Sequence, residues 1–231
     1  MSTLLYGWPY AGVVLAAFLL ARLFARPPEN GCSRWHDPVF VLQLLWPMYL
    51  VHQFEEHGVD ALGHHFAFLA DICGTLGHVE VAGCPADASF IFVVNVVACT
   101  IAFLMPVLWA RRRPLLAAFG WSVPLVNALA HIGSAIAHRA YNPGLVTSIV
   151  LFLPLGVWML RLMLRSGILV LGQIPLVFLS GGLLHAVLLL SLLARERGLI
   201  DHVELLIING VNGLVPLVIG LVTSARRPAH G

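Results

Sequence analysis

Charged side chains are scarce in this chain, and lysine is absent. Charged residues make up 10% of the 231 residues and hydrophobic residues 59%, whereas a soluble domain usually carries about 25% charged residues. The scarcity argues against a soluble globular domain, because too few charged groups are present to cover its surface. Lipid must therefore solvate much of this chain. The net charge of +2 is too small to indicate a nucleic-acid partner.

The chain also lacks an internal repeat, a low-complexity linker and any long polar segment. No polar stretch reaches the roughly 50 residues of a separate domain, so we expect a single transmembrane helical domain over residues 1–231. The first apolar run has no basic start and no small-residue cleavage site. We therefore expect it to be a retained helix rather than a signal peptide.

Apolar runs of membrane-spanning length recur seven times. A crossing helix needs about 20 mostly apolar residues, and Pro, Gly or Arg separates the runs. The predicted fold is an all-α polytopic membrane helix bundle of about seven transmembrane helices. They are predicted at Leu4–Phe24, Val39–Glu56, Ser89–Ala110, Leu115–Arg139, Leu145–Leu164, Leu169–Ala194 and Val203–Ser224.

The arginines predict the orientation of this bundle. One side of the membrane holds Arg139, Arg195 and Arg197, and the other side holds the remaining ten. Because basic residues favour the cytoplasm, we expect the N-terminus outside and the C-terminus in the cytoplasm. The expected location is a bacterial inner (plasma) membrane. The ten predicted cytoplasmic arginines are Arg22, Arg26, Arg34, Arg111, Arg112, Arg113, Arg161, Arg165, Arg226 and Arg227.

The longest loop, at about residues 58–88, is then external. It has no Lys or Arg and contains Cys73 and Cys84. Two cysteines in one loop on the oxidising side of a membrane readily pair, so we expect a disulfide, the alternative being two free thiols. Cys32 and Cys99 have no evident partner.

The predicted second helix ends with His52-Gln-Phe-Glu55-Glu56. Residues three and four apart are neighbours on a helix, so His52 shares a face with both glutamates. An imidazole and a carboxylate at this spacing can bind one ion, as the Glu-x-x-His pairs of di-iron bundles do. Glu55 and Glu56 are also candidate catalytic bases, and the choice between them as the inner ligand is open.

The predicted fourth helix presents a polar stripe roughly 60° wide, made of Asn127, His131, Ser134 and His138. Helices 2, 4 and 6 run in the same direction and carry their histidines late, so His185 of helix 6 lies at a similar depth. A cation would offset the carboxylates, and neutral imidazoles are its common partners. The alternative is a set of hydrogen-bonded histidines with glutamates solvated at the membrane surface.

We therefore predict a transition-metal site in the outer half of the membrane, with iron or zinc as one ion or a pair. Asn127, Tyr141 and His185 would surround it, Asn127 by orienting a ligand. Tyr141 is expected either to anchor at the membrane interface or to hydrogen-bond to the site. The predicted ligands are His52, Glu55, Glu56, His131 and His138.

At these positions the sequence resembles the HXXEE family of membrane proteins. The resemblance covers about residues 45–150 and rests on three motifs in order. These are His52-x-x-Glu55-Glu56, Asn127-Ala128-x-x-His131, and His138 followed by Tyr141-x-Pro143-Gly144-x-x-Thr147. The family has no established biochemical role, so the resemblance implies that these positions matter without supplying a reaction.

The predicted function is that of a metal-dependent membrane enzyme acting on a membrane lipid or another hydrophobic small molecule. Iron implies oxygen-dependent oxidation, and zinc implies hydrolysis by a metal-bound water. The alternatives are a metal or proton transporter, a haem carrier, or a structural subunit of a membrane complex or homo-oligomer. Adjacent carboxylates argue against haem, and the inner halves of helices 2, 4 and 6 offer little polar path for transport.

Overall fold

The computed structural model describes residues 2–28 and 33–225. Within these ranges the chain is helical without a β-strand, which confirms the all-α prediction. Cys32, Arg226 and Arg227 lie outside the described residues. The helices are α1 Ser2–Ala25, α2 Pro38–Gln43, α3 Leu45–His57, α4 Ala67–Thr75, α5 Ala88–Trp109, α6 Pro114–His138, α7 Leu145–Arg165, α8 Leu171–Glu196 and α9 His202–Ala225.

Six of these helices, α1 and α5 to α9, are long and apolar enough to cross a membrane, as judged over the described residues. The chain is therefore a membrane protein. The remaining predicted span is divided into α2 and α3 by a break at Leu44. Pro47 explains the break, because its ring clashes with the carbonyl of Gln43 and it has no N–H to donate there.

The same effect of proline interrupts two other long helices. α6 breaks at Trp121, three residues before Pro124, and α9 breaks at Gly213, three residues before Pro216. In each case the proline removes the hydrogen bond to the residue four positions earlier. π-Helical turns precede further prolines, at Val93–Ala98 and Thr100–Leu104 before Pro106 and at Ser148–Phe152 before Pro154.

α3 is the central helix of the bundle, with 11 of its 13 residues buried. α6 is also enclosed, since 72% of its most apolar window is buried, against 17% for α1. Gly181 lets α8 approach α6 closely, because a side chain there would overlap the backbone of Ser122. The polar residues of α3, and His131 of α6, therefore lie inside the bundle.

The loop predicted at 58–88 is a folded cap over one end of the bundle. It contains α4 and a disulfide between Cys73 and Cys84, with 5.8 Å between their Cα atoms, which confirms the predicted pairing. The ring of Phe68 in α4 lies 4.9 Å from the ring of His57 at the end of α3. Cys99 is a free, buried cysteine in α5.

Candidate metal centre

Three of the predicted ligands converge inside the bundle. His52 and Glu56 lie one turn apart on α3, and His131 reaches them from α6. Glu56 Oε1 lies 3.3 Å from His52 Nε2 and 2.9 Å from His131 Nε2, and all three atoms lie within 4.8 Å of one another. The residues are 0%, 3% and 7% exposed for His52, Glu56 and His131, respectively. This spacing can accommodate a single metal ion.

The ring of His52 is oriented by the turn that begins α7. Its Nδ1 lies 2.7 Å from Thr147 Oγ1, and the Thr147 hydroxyl donates to Glu55 Oε2 at 2.5 Å. Because that hydroxyl has a single hydrogen, it accepts a hydrogen bond from Nδ1–H of His52. The lone pair of His52 Nε2 is then left facing Glu56.

Asn142 orients the ring of His131 in the same way. The Asn142 amide group donates to the backbone carbonyl of His131 at 3.0 Å, which turns Asn142 Oδ1 toward His131 Nδ1 at 2.6 Å. Nδ1 of His131 is therefore the donor, and in the neutral ring its Nε2 presents a lone pair to Glu56. Such hydrogen bonds to the far ring nitrogen are the usual support of histidines that bind metals.

The centre thus brings together three electron-pair donors, two imidazole nitrogens and one carboxylate oxygen. A single proton could bridge only one of the two contacts, either Glu56 with His52 or Glu56 with His131. His52 Nε2 has no hydrogen-bond partner although the residue is fully buried. A buried polar atom without a partner costs roughly 1–3 kcal/mol. A cation between the three atoms would satisfy all of them at once.

The other oxygen of Glu56 is held by its own helix. Gln53 donates to Glu56 Oε2 at 2.9 Å. His57 Nε2 lies 3.4 Å from the same oxygen but accepts a hydrogen bond from Asn95 of α5 at 3.1 Å, so it does not donate to Glu56. The bond from Gln53 therefore fixes the carboxylate so that Oε1 faces the two histidines.

Gly144 closes one side of the centre. Its φ of +92° is a left-handed conformation that favours glycine. A Cβ at this position would lie 2.8 Å from each of Glu56 Cγ, His52 Cε1 and His131 Cε1. Pro143 and Gly144 form the turn between α6 and α7, and the glycine lets that turn contact all three residues.

Glu55 lies outside the convergent group and binds the start of α7 instead. Its carboxylate accepts from Val146 N–H at 3.0 Å, Thr147 N–H at 2.7 Å and the Tyr141 hydroxyl at 2.9 Å. Backbone N–H groups at a helix start favour a negative charge. Burial raises the pKa of Tyr141, as does its hydrogen bond to Glu55, so the hydroxyl remains a donor.

The structure does not bring the remaining predicted site residues to the centre. His138 is exposed near the end of α6 and hydrogen-bonds to Ser134. His185 contacts the Gly181 carbonyl of its own helix at 2.8 Å. Asn142 fills the orienting role that was predicted for Asn127. No sequence motif singled out Asn142, because it lies in the turn after α6.

A cavity of about 220 Å³ adjoins the centre, between α3, α4, α5, α6 and α8. Glu56 and His131 lie on its wall, together with Asn127 and His185. Most of the other lining residues are apolar, so the centre opens onto a largely apolar space.

Comparison with known proteins adds a family but no function. No curated protein and no solved structure matches the chain significantly. A family model described as a protein of unknown function with an HXXEE motif matches residues 43–159, just over half of the chain. The matched region contains His52, Glu56 and His131 as well as the turn at Gly144. The chain therefore belongs to the HXXEE family.

Proposed function

We propose that the chain is a metal-dependent integral membrane enzyme acting on a lipid or another hydrophobic small molecule. In this proposal one iron or zinc ion is bound by His52, Glu56 and His131. The observation that carries it is the convergence of three buried lone pairs, each held in place by a hydrogen bond on its far side. A hydrogen-bonded structural cluster would pair donors with acceptors instead.

The chemistry of the ligand set supports this choice of metals. Two histidines and one carboxylate bind catalytic zinc in hydrolases and iron in oxygenases, and both kinds of site keep positions open for water or substrate. Zinc would supply a water acidic enough to attack near neutral pH, and iron would supply oxidation. A single ion is favoured over a pair, because the oxygens of Glu55 are engaged by α7 and by Tyr141.

The surroundings favour an enzyme over a transporter. At the end away from the centre, the adjoining cavity is bounded by Tyr49, Phe103 and Val123. Its lining residues there include no carboxylate, histidine or arginine that would carry an ion toward the other membrane face. The carboxylate of Glu56 among the proposed ligands also argues against haem, whose iron is usually held by other side chains.

The proposed topology has seven spans with the N-terminus outside. The combined length of α2 and α3, from Pro38 to His57, corresponds to about 30 Å of helix, the thickness of the hydrocarbon core. The Cys73–Cys84 disulfide supports an external position for the cap, since disulfides persist in oxidising compartments. The arginines between the other helix ends support the same orientation.

Elemental analysis of the purified protein tests the metal proposal. We expect about one iron or zinc per chain, and less than about a tenth of that in His52→Ala and in His131→Ala, because each ligand supplies a bond that its neighbours cannot replace. His138→Ala is the matched control, since this exposed histidine lies on the same helix as His131. Full metal retention in both ligand variants, or no metal in the wild type after reconstitution, would contradict the proposal.

A further inference from the structure

The cavity beside the metal centre contains two amide oxygens without a partner. Gln53 Oε1 and Asn127 Oδ1 are buried and make no hydrogen bond, and both residues line the cavity. Gln53 is only 2% exposed, and its amide nitrogen is already committed to Glu56. Buried acceptors of this kind are normally satisfied, so the pair is suited to a ligand that donates hydrogen bonds.

The rest of the cavity suits a hydrocarbon chain. From the level of His131, its wall extends along α6 to Val123, eight residues or about 12 Å away, and along α5 past Cys99 to Phe103. At this far end the lining includes no charged residue. Apolar side chains with a few convergent polar groups are typical of small-molecule sites.

The size of the cavity limits the ligand. A volume of about 220 Å³ is below the roughly 300–1,000 Å³ of pockets for drug-sized molecules. A phospholipid with two acyl chains is therefore too large, and one chain of medium length fits.

We propose that this cavity binds a neutral single-chain amphiphile whose head group carries a hydroxyl or amide hydrogen-bond donor. A hydroxyl head donates to Asn127 Oδ1 beside the metal, and a head with a second N–H or O–H also donates to Gln53 Oε1. The alkyl chain extends toward Val123 and Phe103. The assignment deepens the proposed function and rests on it, because it names the substrate class of the same site. An uncharged head is favoured at this position since the bound metal already offsets the charge of Glu56. The other carboxylate of the lining, Asp71, belongs to α4 in the cap.

A photoreactive decyl alcohol that carries a diazirine in its chain tests the assignment in the full-length, metal-loaded protein in lipid nanodiscs. Mass spectrometry should locate the label on the cavity-lining segments of α5 and α6. Decyl alcohol should compete at about tenfold lower concentration than decyl methyl ether, which has the same chain but no donor. Equal competition by alcohol and ether, or labelling confined to lipid-facing surfaces, would overturn the proposal.

Two substitutions separate head-group recognition from chain recognition. Asn127→Leu should reduce the preference for alcohol over ether by several-fold, whereas Gln43→Leu, an amide replaced in α2 away from the cavity, should leave it unchanged. Val123→Phe should shift the preferred competitor from decyl to hexyl alcohol by filling the far end. If Val123→Phe does not fold, Cys99→Leu, which adds fewer atoms to the same cavity, should shift the preferred chain length in the same direction. An unchanged preference in Asn127→Leu, or an unchanged chain length in the folded filling variant, would contradict the assignment.

The metal content of each sample distinguishes this inference from the proposed function. Metal at one ion per chain without a preference for alcohol overturns the substrate class and leaves the metal centre standing. A clear preference for alcohol in protein that binds no metal supports the binding site and overturns the metal-dependent function.

Discussion

Two of the buried polar groups among the described residues are built differently. Between α8 and α9, Asn209 donates to Ser191 Oγ at 2.8 Å and Asn212 donates to the Leu184 carbonyl at 2.8 Å. Each of these contacts joins a donor to an acceptor across the helix pair. In the candidate metal centre, Glu56 Oε1 faces two imidazole nitrogens whose other ring nitrogens already donate elsewhere, so a single proton can satisfy only one of the two contacts.

The difference shows how a structural cluster can be told from a binding site. The hydrogen bonds between α8 and α9 each pair a donor with an acceptor and tie two helices together, while the amide oxygens of Asn209 and Asn212 have no partner and line no part of the cavity beside the centre. The candidate metal centre uses its hydrogen bonds on the outer side, at Thr147, Asn142 and Gln53, and leaves His52 Nε2 on the inner side without a partner. The first group should therefore affect stability, and the second should affect metal binding.

The largest expected effect separates the two adjacent glutamates. Glu56→Gln should reduce bound metal to less than about a tenth of the wild-type content, because it removes the negative ligand. Glu55→Gln should keep one metal per chain at saturation but bind it about 10–100-fold more weakly, as is typical when a group that orients a ligand is changed. Elemental analysis and titration against a chromogenic chelator measure both effects. The reverse order of the two variants would show that their roles are exchanged.

A smaller effect is expected at the turn beside the centre. Gly144→Ala should lower the free energy of unfolding by about 2–5 kcal/mol and weaken metal binding. Alanine is strained at this positive φ, and its Cβ would overlap the side chains of Glu56, His52 and His131. Gly63→Ala is the matched control, since Gly63 has a φ of +85° but a Cβ added there would meet no atom within 4 Å. Its cost should be about 1–2 kcal/mol, with metal content unchanged. Unfolding in denaturant provides the comparison, and equal losses in both variants would rule out the overlap.

The smallest effect on metal is expected in the α8–α9 group. Asn209→Leu removes the bond to Ser191 and should lower the free energy of unfolding by about 1 kcal/mol while one metal per chain remains. Thermal unfolding and elemental analysis on the same sample test this pair of outcomes. A loss of metal in Asn209→Leu would mean that the two groups are coupled.

Much of the centre could be predicted from helical periodicity. The spacing of His52 and Glu56 places them on one face, and the alternating direction of the helices brings His131 to the same end. The rings of His52 and His131 lie 5.3 Å apart between their centroids. Periodicity failed for His138, which shares the face of His131 but lies seven residues further, or about 10 Å along the axis. A common face does not ensure a common depth.

Other features depended on tertiary contacts that the sequence pattern does not carry. Glu55 and Glu56 both neighbour His52 on a helix, and only the packing of the 141–147 turn decides between them. No sequence pattern singled out Asn142, whose side chain contacts His131 only because the 141–147 turn folds back onto α6. The break at Leu44 had a readable signal in Pro47, whereas α4 lay within a segment predicted as a loop.

The hydrogen bond from His52 to Thr147 joins residues 95 positions apart in the chain. When the helices up to α6 have entered the membrane, both histidines and Glu56 have already been synthesised. Thr147, which fixes the His52 ring, and Gly144, which covers it, come later in the chain. The proposed metal binding therefore reaches full strength late in biosynthesis, after α7 has entered the membrane. Until then the carboxylate of Glu56 is not yet enclosed and can be hydrated or protonated. The order of helix insertion is therefore part of how this protein matures.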